Sequence, residues 1–343
     1  MALPTGAYPL SPQAAPPFNF ATTIYPTGGT ANALQATGFI PEIWSSKLVE
    51  KFYASTVLAA ISNTDYEGEI QNQGDRVKIR TKHTIQIRDY SADALLALDR
   101  PSGGQFELYI GWGKYFSLIL DDVMEVQSDL NVLSIWSDDA AQQLKIAVDR
   151  DVLSGILGGA HAKNKGATAG AISGTIVLGA KGAPIAVKTP IVTLGTDISI
   201  VDVLMRLGQV LDEQNIPEEG RWVVMSAAAG RFLKQSELRQ AYLSGDPVSM
   251  LRNGRLGMVD RFTIYISNLL PSFAAGDSTN FAAGEQIVYA GHAHGLTFAS
   301  QISKVETLRS EMTFGQILRG LQVYGYGVID PTAIAQAQIT LTG

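Results

Sequence analysis

Residues 76–88 alternate strictly between two kinds of side chain, and this pattern constrains the fold more than any other in the chain. Odd positions carry apolar or small side chains, and even positions carry polar ones, mostly arginine and lysine. A period of two residues predicts a β-strand with one covered face and one open face. At about 3.3 Å per residue the strand spans roughly 40 Å, which is long for a strand.

A second alternating run over residues 106–120 follows a Pro-Ser-Gly-Gly turn signal at 101–104. The two runs together predict a long β-hairpin. Because a two-stranded hairpin is only marginally stable alone, the prediction includes a partner surface. Three alternatives stay open for the basic face: an acidic face of a neighbouring subunit, solvent, or phosphate. The hairpin residues predicted to contact another subunit are Arg76, Lys78, Arg80, Lys82, Arg88, Trp112 and Lys114.

The composition indicates a chain that covers its surface with other chains. Charged residues form only 17% of the sequence, against about 25% in an average soluble domain, and apolar residues form 46%. The net charge of −6 argues against a dedicated nucleic-acid binder. The absence of cysteine excludes disulfides, thiolate metal sites and cysteine nucleophiles. No apolar run is long enough to span a membrane, so no membrane partner is predicted.

Residues 1–41 contain no charged side chain and hold seven of the 14 prolines. Because proline fixes φ and has no amide hydrogen, this segment is predicted to be an extended arm. It lacks the basic start and continuous apolar core of a secretory signal. Two alternatives stay open, a flexible tail and an arm that lies on a neighbouring subunit. The aromatic side chains favour an arm that lies on a neighbouring subunit, and the predicted contacts are Phe18, Phe20 and Tyr25.

The remaining segments predict helices and strands in alternation. Apolar spacing predicts a helix over 42–62 and one long helix over 121–157 that ends at a glycine pair. The Gly/Ala-rich stretch 158–197 is predicted to be a loop with weak strands at 175–178 and 185–194. The carboxy-terminal half predicts a mixed α/β domain, with helices at 198–214 and 227–235, a strand at 222–225 and a hairpin at 254–270.

No catalytic, cofactor or metal site is predicted. His292 and His294 are expected to share one face of a strand, but no third ligand is marked nearby, and a zinc site needs at least three. Asp138 and Asp139 are adjacent on a predicted helix, so their side chains diverge by about 100°. The chain has no Gly-x-Ser-x-Gly motif, and the glycines at 325–327 lack the rest of a dinucleotide fingerprint.

Six segments form an ordered set, and each alone is an apolar stretch with few distinctive residues. They are FIPEIWSSKLVEKF at 39–52, GDRVKIRT at 74–81, RWVVMSAAAGRFLKQ at 221–235, GRLGMVDRFTIYISNLL at 254–270, YAGHAHGLTFASQI at 289–302 and RGLQVYGYGVIDPTAI at 319–334. In this order the set resembles the major capsid proteins of tailed bacteriophages, which share the Hong Kong 97-like coat fold. The resemblance covers most of residues 39–334.

The resemblance implies an α+β fold with four parts. These parts are an N-arm, a long β-hairpin called the E-loop, a peripheral domain with a spine helix, and an axial domain. The implied boundaries are 1–65 for the arm and its helix, 66–120 for the E-loop, 121–160 with 298–328 for the peripheral domain, and 161–297 with 329–343 for the axial domain, which includes the Gly/Ala-rich insert.

The same resemblance implies a major capsid protein, without enzymatic activity or cofactor. It implies self-assembly as pentamers and hexamers into an icosahedral head shell around double-stranded DNA. The implied partners are copies of the chain, a separate scaffolding protein, the portal protein and packaged DNA without sequence-specific contacts, and cement or decoration proteins stay open. The expected location is the virion, after assembly in the host cytoplasm. The alternatives are an encapsulin-type nanocompartment shell and an unrelated β-rich enzyme or binding protein.

Overall fold

The computed structural model describes residues 53–54, 56–65, 76–80, 85–89, 98, 100, 104–127, 132–189, 197–236, 257–311 and 313–342. The helices in these ranges are α1 (Leu58–Ile61), α2 (Asp122–Gln127), α3 (Val132–Gly155), α4 (Ile200–Glu213) and α5 (Ala227–Gln235). The strands are β1 (Arg76–Arg80), β2 (Gln105–Asp121), β3 (Ile185–Lys188), β4 (Arg221–Met225), β5 (Met258–Val259), β6 (Phe262–Ile266), β7 (Glu285–His292), β8 (Leu296–Arg309), β9 (Gly315–Val328) and β10 (Ile334–Thr342).

The larger sheet has six strands in the order β3-β10-β7-β4-β6-β5. Strand β4 is buried at every position because both of its faces are covered. Val223 and Met225 belong to a core cluster with α4, whereas Trp222 and Val224 belong to a cluster with α3. The continuous apolar run after Arg221 is typical of a strand that is covered on both sides.

Helix α4 begins where the sequence supplies a capping box. The Ser199 hydroxyl accepts the backbone N–H of Asp202 at 3.1 Å, and the Ser199 N–H donates to the Asp202 carboxylate at 3.3 Å. This exchange satisfies amide groups that the first helical turn leaves unpaired. The helix predicted over 198–214 is confirmed as α4, and the predicted β4 and α5 are confirmed as well. Strands β5 and β6 confirm the described part of the hairpin predicted over 254–270.

The smaller sheet is antiparallel and has the order β1-β2-β9-β8. Strand β2 extends over 17 residues and pairs with β1 near its start and with β9 along the rest. A β-bulge leaves Gly111 unpaired in β2, and a second leaves Gln301 unpaired in β8. Both bulges lie beside Tyr324 of β9. A bulge bends its strand and increases the local twist.

The second strand of the predicted hairpin is confirmed as β2. The first strand is shorter than predicted. Strand β1 covers Arg76–Arg80, and residues 85–89 form no strand. Ile85 and Ile87, which the alternation places on the covered face, are 69% and 91% exposed. Strand β2 begins opposite Arg80, so no described strand lies beside residues 85–89 to accept their backbone groups. The strand prediction is therefore wrong over 85–88, while residues 81–84 lie outside the described ranges.

The carboxylate of Asp149 ties residues 57 and 58 to α3. This buried side chain accepts the backbone N–H of Val57 at 3.1 Å and of Leu58 at 3.0 Å. Ten residues earlier on α3, Asp139 accepts the hydroxyl of Tyr53 at 2.7 Å. The helix predicted over 42–62 is wrong for the described residues before Leu58, because their polar groups bond to α3. Residues 42–52 and 55 of that prediction lie outside the described ranges.

The long helix predicted over 121–157 is confirmed as α3 and corrected at its start. Asp121 still belongs to β2, opposite Gly315, and α2 begins only at the next residue. Residues 128–131, between α2 and α3, lie outside the described ranges. The buried apolar residues of α3, including Val148, Val152 and Leu153, lie in its carboxy-terminal half, where the helix packs against both sheets.

The Gly/Ala-rich segment is held in place mainly by side chains rather than by strands. Asn164 donates to the carbonyls of Thr332 and Ile334 at 2.7 and 2.9 Å. Glu213 of α4 accepts two backbone N–H groups from the same segment. The strand predicted over 175–178 is wrong, because Ile176 forms an isolated bridge with Ala169. The strand predicted over 185–194 is confirmed as β3, and residues 190–196 lie outside the described ranges.

Candidate assembly interface

The open face of β1 carries three basic side chains, as the alternation predicts. Arg76, Lys78 and Arg80 are exposed, and the positions between them are buried. Glu107 of β2 lies 3.5 Å from the Arg76 guanidinium and 3.6 Å from the Lys78 ammonium. Exposed ion pairs of this kind contribute at most about 1 kcal/mol each. Among the described residues this face carries three basic side chains and one carboxylate, a composition that suits an acidic partner.

The other predicted contacts are not all brought to this face. Arg88 is exposed in the segment 85–89, outside β1. Lys82 and the arm residues Phe18, Phe20 and Tyr25 lie outside the described ranges. Their contacts with another subunit therefore stay predictions.

Trp112 and Lys114 contact residues of their own chain. The Trp112 ring is about half exposed and stacks on Tyr326 with 6.1 Å between the ring centroids. The Lys114 ammonium lies 3.5 Å from Asp151 of α3, and the Tyr324 hydroxyl donates to the same carboxylate at 2.5 Å. Burial, together with this hydrogen bond, raises the pKa of Tyr324 above its ordinary value. These contacts join α3 to the smaller sheet, and a role of Trp112 and Lys114 between subunits stays a prediction.

One group of exposed apolar side chains on the smaller sheet is absent from the predicted contacts. Tyr115 and Ile119 of β2 are exposed, as is Leu321 of β9 opposite Tyr115. The sequence itself indicates a second exposed apolar face. From residue 115 to 120 apolar residues occur at both odd and even positions, whereas a strand with one open face needs them at only one of the two.

The far end of the smaller sheet is also apolar and exposed. Val123, Met124 and Val126 of α2 are exposed, and Phe314 in the turn between β8 and β9 is exposed as well. The Asp122 N–H donates to the Phe314 carbonyl at 3.2 Å, so these side chains share one end of the sheet. Exposed apolar groups in one place are typical of a contact surface.

Three charged side chains form a cluster in the middle of the sheet. Lys304 and Glu306 of β8 form an ion pair at 2.8 Å, and Arg319 of β9 pairs with the same glutamate. Hydrogen bonds from Lys304 and Arg319 lower the pKa of Glu306 below its ordinary value. The cluster lies on the face that carries Leu321, because Lys304 is directly opposite Leu321. This face therefore combines apolar side chains with a cluster of two cations and one carboxylate.

The two histidines do not share a strand face, so that expectation is wrong. His292 ends β7, whereas His294 lies in a 3₁₀ turn, where its backbone N–H donates to His292 Nδ1 at 3.1 Å. Within the described ranges, no three histidine or carboxylate side chains are placed to hold a metal ion. No helix in the part of the chain that the structure describes has the length and apolar character needed to cross a membrane.

Comparisons with known proteins connect this architecture to viral shells. The family model described as phage capsid protein matches residues 112–337, whereas no curated protein sequence matches. A structure from Mycobacterium phage Che8 is 26% identical with a TM-score of 0.67, and the alignment covers 89% of this chain and 98% of that one.

Two further structures are similar in fold. The capsid structure of cyanophage P-SCSP1u has a TM-score of 0.66 at 16% identity, with 92% of this chain and 96% of that chain covered. The capsid of a native GTA particle has a TM-score of 0.64 at 15% identity, with 91% and 99% covered. At these identities the likeness shows the fold alone.

Proposed function

The chain belongs to the phage capsid protein family, and from this premise we propose that it builds the icosahedral head of a tailed phage as pentamers and hexamers. It is a structural protein of the capsid shell, and copies of the chain assemble with each other in the virion. The encapsulin alternative is not favoured, because the matching family is that of phage capsids. The observation that carries the conclusion is the family match over residues 112–337. Membership of a structural family indicates a non-enzymatic role.

The proposal includes an assignment of the parts of the chain. Residues 1–65 act as the arm and its helix, and residues 66–120 act as the E-loop that reaches a neighbour. Residues 121–160 with 298–328 act as the peripheral domain with α3 as its spine, and 161–297 with 329–343 act as the axial domain. The division of the strands between two sheets supports this assignment.

The proposed partners follow from the shell function. Copies of the chain are the main partner, and a scaffolding protein and the portal protein join during assembly in the host cytoplasm. The shell encloses double-stranded DNA without sequence-specific contacts, which is consistent with the net charge of −6. Whether cement or decoration proteins bind outside stays open in the proposal.

Electron microscopy of the purified chain tests the function directly. The chain is expressed alone and then together with the neighbouring genes of its genome. We expect hollow polyhedral shells that contain DNA or scaffold. A monodisperse monomer or dimer under every condition contradicts the proposal, and shells filled with an enzyme indicate a nanocompartment instead.

The basic face of β1 gives a second test. We expect the triple variant Arg76→Glu, Lys78→Glu and Arg80→Glu to fold normally and to lower the yield of shells by about tenfold, because repulsion repeats at every copy of the interface. Sedimentation and negative-stain microscopy measure the yield.

A matched control makes the same change of charge at exposed residues elsewhere, with Lys145→Glu, Lys163→Glu and Arg231→Glu. Equal yields from the two triple variants mean that the face of β1 is only solvated. Normal shells that retain less DNA than the control indicate phosphate as the partner of this face.

A further inference from the structure

We propose that the outer edge of β8, over residues 302–309, is a strand-addition site that receives residues 18–25 of the arm from a second copy of the chain. This inference rests on the proposed shell function and names one contact that holds the shell together. It depends on the direction of the backbone groups of β8, on their exposure and on the sequence of the arm.

Strand β8 is the last strand of its sheet, so one of its two edges has no neighbouring strand among the described residues. The backbone N–H of Ser310 donates to the carbonyl of Gly315 at 2.9 Å, which makes this pair a hydrogen-bonded pair. Hydrogen-bonded and non-hydrogen-bonded pairs alternate along an antiparallel ladder. The outward N–H and C=O groups therefore belong to Ser303, Val305, Thr307 and Arg309.

The inner end of the same edge already accepts an extended residue. Asn63 donates its N–H to the carbonyl of Leu296 at 2.8 Å, and its carbonyl accepts the N–H of Phe298 at 2.9 Å. The Thr297 hydroxyl donates to that carbonyl as well, at 3.1 Å. Beyond the bulge at Gln301 no described residue continues this pairing. The edge is thus suited to strand pairing and is used over only part of its length.

The open part of the edge has only some of the features that protect edge strands from pairing. Natural edge strands are protected by proline, by charged side chains, by bulges or by short length. Residues 302–309 contain no proline or glycine, and Val305 is 56% exposed. The charged side chains here form ion pairs within the chain, Lys304 with Glu306 of the same strand and Arg309 with Asp122 of α2. An edge of this kind is a template for another strand.

The arm contains one segment that fits this edge in length and chemistry. Residues 18–25, FNFATTIY, are rich in the aromatic and β-branched residues that favour strands. Pro17 and Pro26, which cannot donate to a ladder, bound this segment on both sides. Eight residues of the arm therefore match the eight residues of the open edge. The segment itself is uncharged, so it brings no charge to the edge, and assembly into a shell supplies the second copy.

Hydrogen–deuterium exchange of the full chain tests the edge, with unassembled subunits compared with shells. We expect the amides of Val305 and Thr307 to exchange at least about tenfold more slowly in shells. The amides of Lys304 and Glu306 point toward β9 and serve as an internal control that is protected in both states. Shells in which Val305 and Thr307 exchange as fast as in free subunits overturn the inference and leave the shell function intact.

Cysteine crosslinking tests the occupant, because the native chain has no cysteine. One chain carries Val305→Cys or Thr307→Cys and the other carries Phe20→Cys or Thr22→Cys, and the two are assembled together and oxidised. We expect disulfide dimers between the two kinds of chain, and none when the arm cysteine is Ala7→Cys, outside the segment.

Two results of the crosslinking overturn the inference. Slow exchange at Val305 without any crosslink means that something other than residues 18–25 occupies the edge. The second result uses a chain that carries both cysteines. If the disulfide then forms within one chain and never between chains, the arm folds back on its own subunit. If the native chain forms no shell at all, the proposed function fails and this inference fails with it.

Discussion

Replacing Asp149 with alanine is expected to lower the free energy of unfolding by about 2–4 kcal/mol. The substitution leaves the N–H groups of Val57 and Leu58 buried without an acceptor. Each unsatisfied buried amide costs about 1–3 kcal/mol, and part of that cost is relieved if the segment moves into solvent. Denaturant unfolding of unassembled subunits measures the loss, and faster exchange of the two amides locates it.

Asp138→Ala is the matched control, because Asp138 is exposed on the same helix. Its effect is expected to stay within about 0.5 kcal/mol. An equal effect of the two variants contradicts the role assigned to Asp149.

The pH dependence gives an independent measurement on the same carboxyl group. Burial raises the pKa of Asp149, and the two amide hydrogen bonds only partly oppose this. A carboxyl whose pKa is raised by folding adds stability below its unfolded pKa of about 3.9 and loses that stability as pH rises through the folded pKa. The native chain is therefore expected to lose stability relative to Asp149→Asn as pH rises across this window. A difference that does not change with pH contradicts the assigned direction.

Deleting residues 1–30 is expected to leave a soluble, folded subunit that does not form closed shells. The deleted arm is uncharged and carries Phe18, Phe20 and Tyr25, which we propose as contacts on a neighbour. Many weak contacts repeated around a shell add up to a large stabilisation of the shell. The loss of one contact from each copy is therefore enough to prevent closure. Circular dichroism checks the fold, and sedimentation with electron microscopy checks assembly.

A second variant separates the sequence of the arm from its length. It replaces residues 1–30 with thirty glycine and serine residues, which form a flexible chain. We expect this variant to fail in assembly as the deletion does. Normal shells from either variant show that the arm makes no required contact.

The elements that were predicted well are those whose local signals agree with their packing. Helix α4 has a cap at Ser199 and one apolar stripe, and both its bounds and its buried face follow from these signals. Strand β4 is a short apolar run, and it is covered on both faces. Strand β2 forms over the whole predicted run because β1 and β9 pair with it in succession.

The predictions that failed depended on distant residues. Residues before Leu58 have a helical pattern, yet Asp149, far along the chain, accepts the amides of residues 57 and 58. Residues 85–88 continue an alternating pattern, but β2 begins opposite Arg80 and offers no partner there. The start of α2 was misplaced because Asp121 pairs with Gly315, nearly two hundred residues later. Local sequence patterns contain no information about such contacts.

The candidate interface was predictable only in part. The exposure of Arg76, Lys78 and Arg80 follows from alternation, whereas the contact of Glu107 with two of them needs the register of β1 and β2. Lys114 was predicted as a contact for a neighbour, and its ion pair with Asp151 depends on where α3 crosses the sheet. Tyr115 was not predicted as a contact, because the sequence analysis assumed that β2 has only one apolar face.

The two bulges beside Tyr324 have a mechanical consequence. Gly111 interrupts the ladder on one side of β9 and Gln301 interrupts it on the other, at the same level of the sheet. A line of bulges therefore crosses the sheet, and the strands bend and twist more strongly there. The hydroxyl of Tyr324 joins this line to Asp151 of α3, so the helix is anchored where the sheet changes direction. The two bulges thus set the direction in which the root of the hairpin leaves the rest of the sheet.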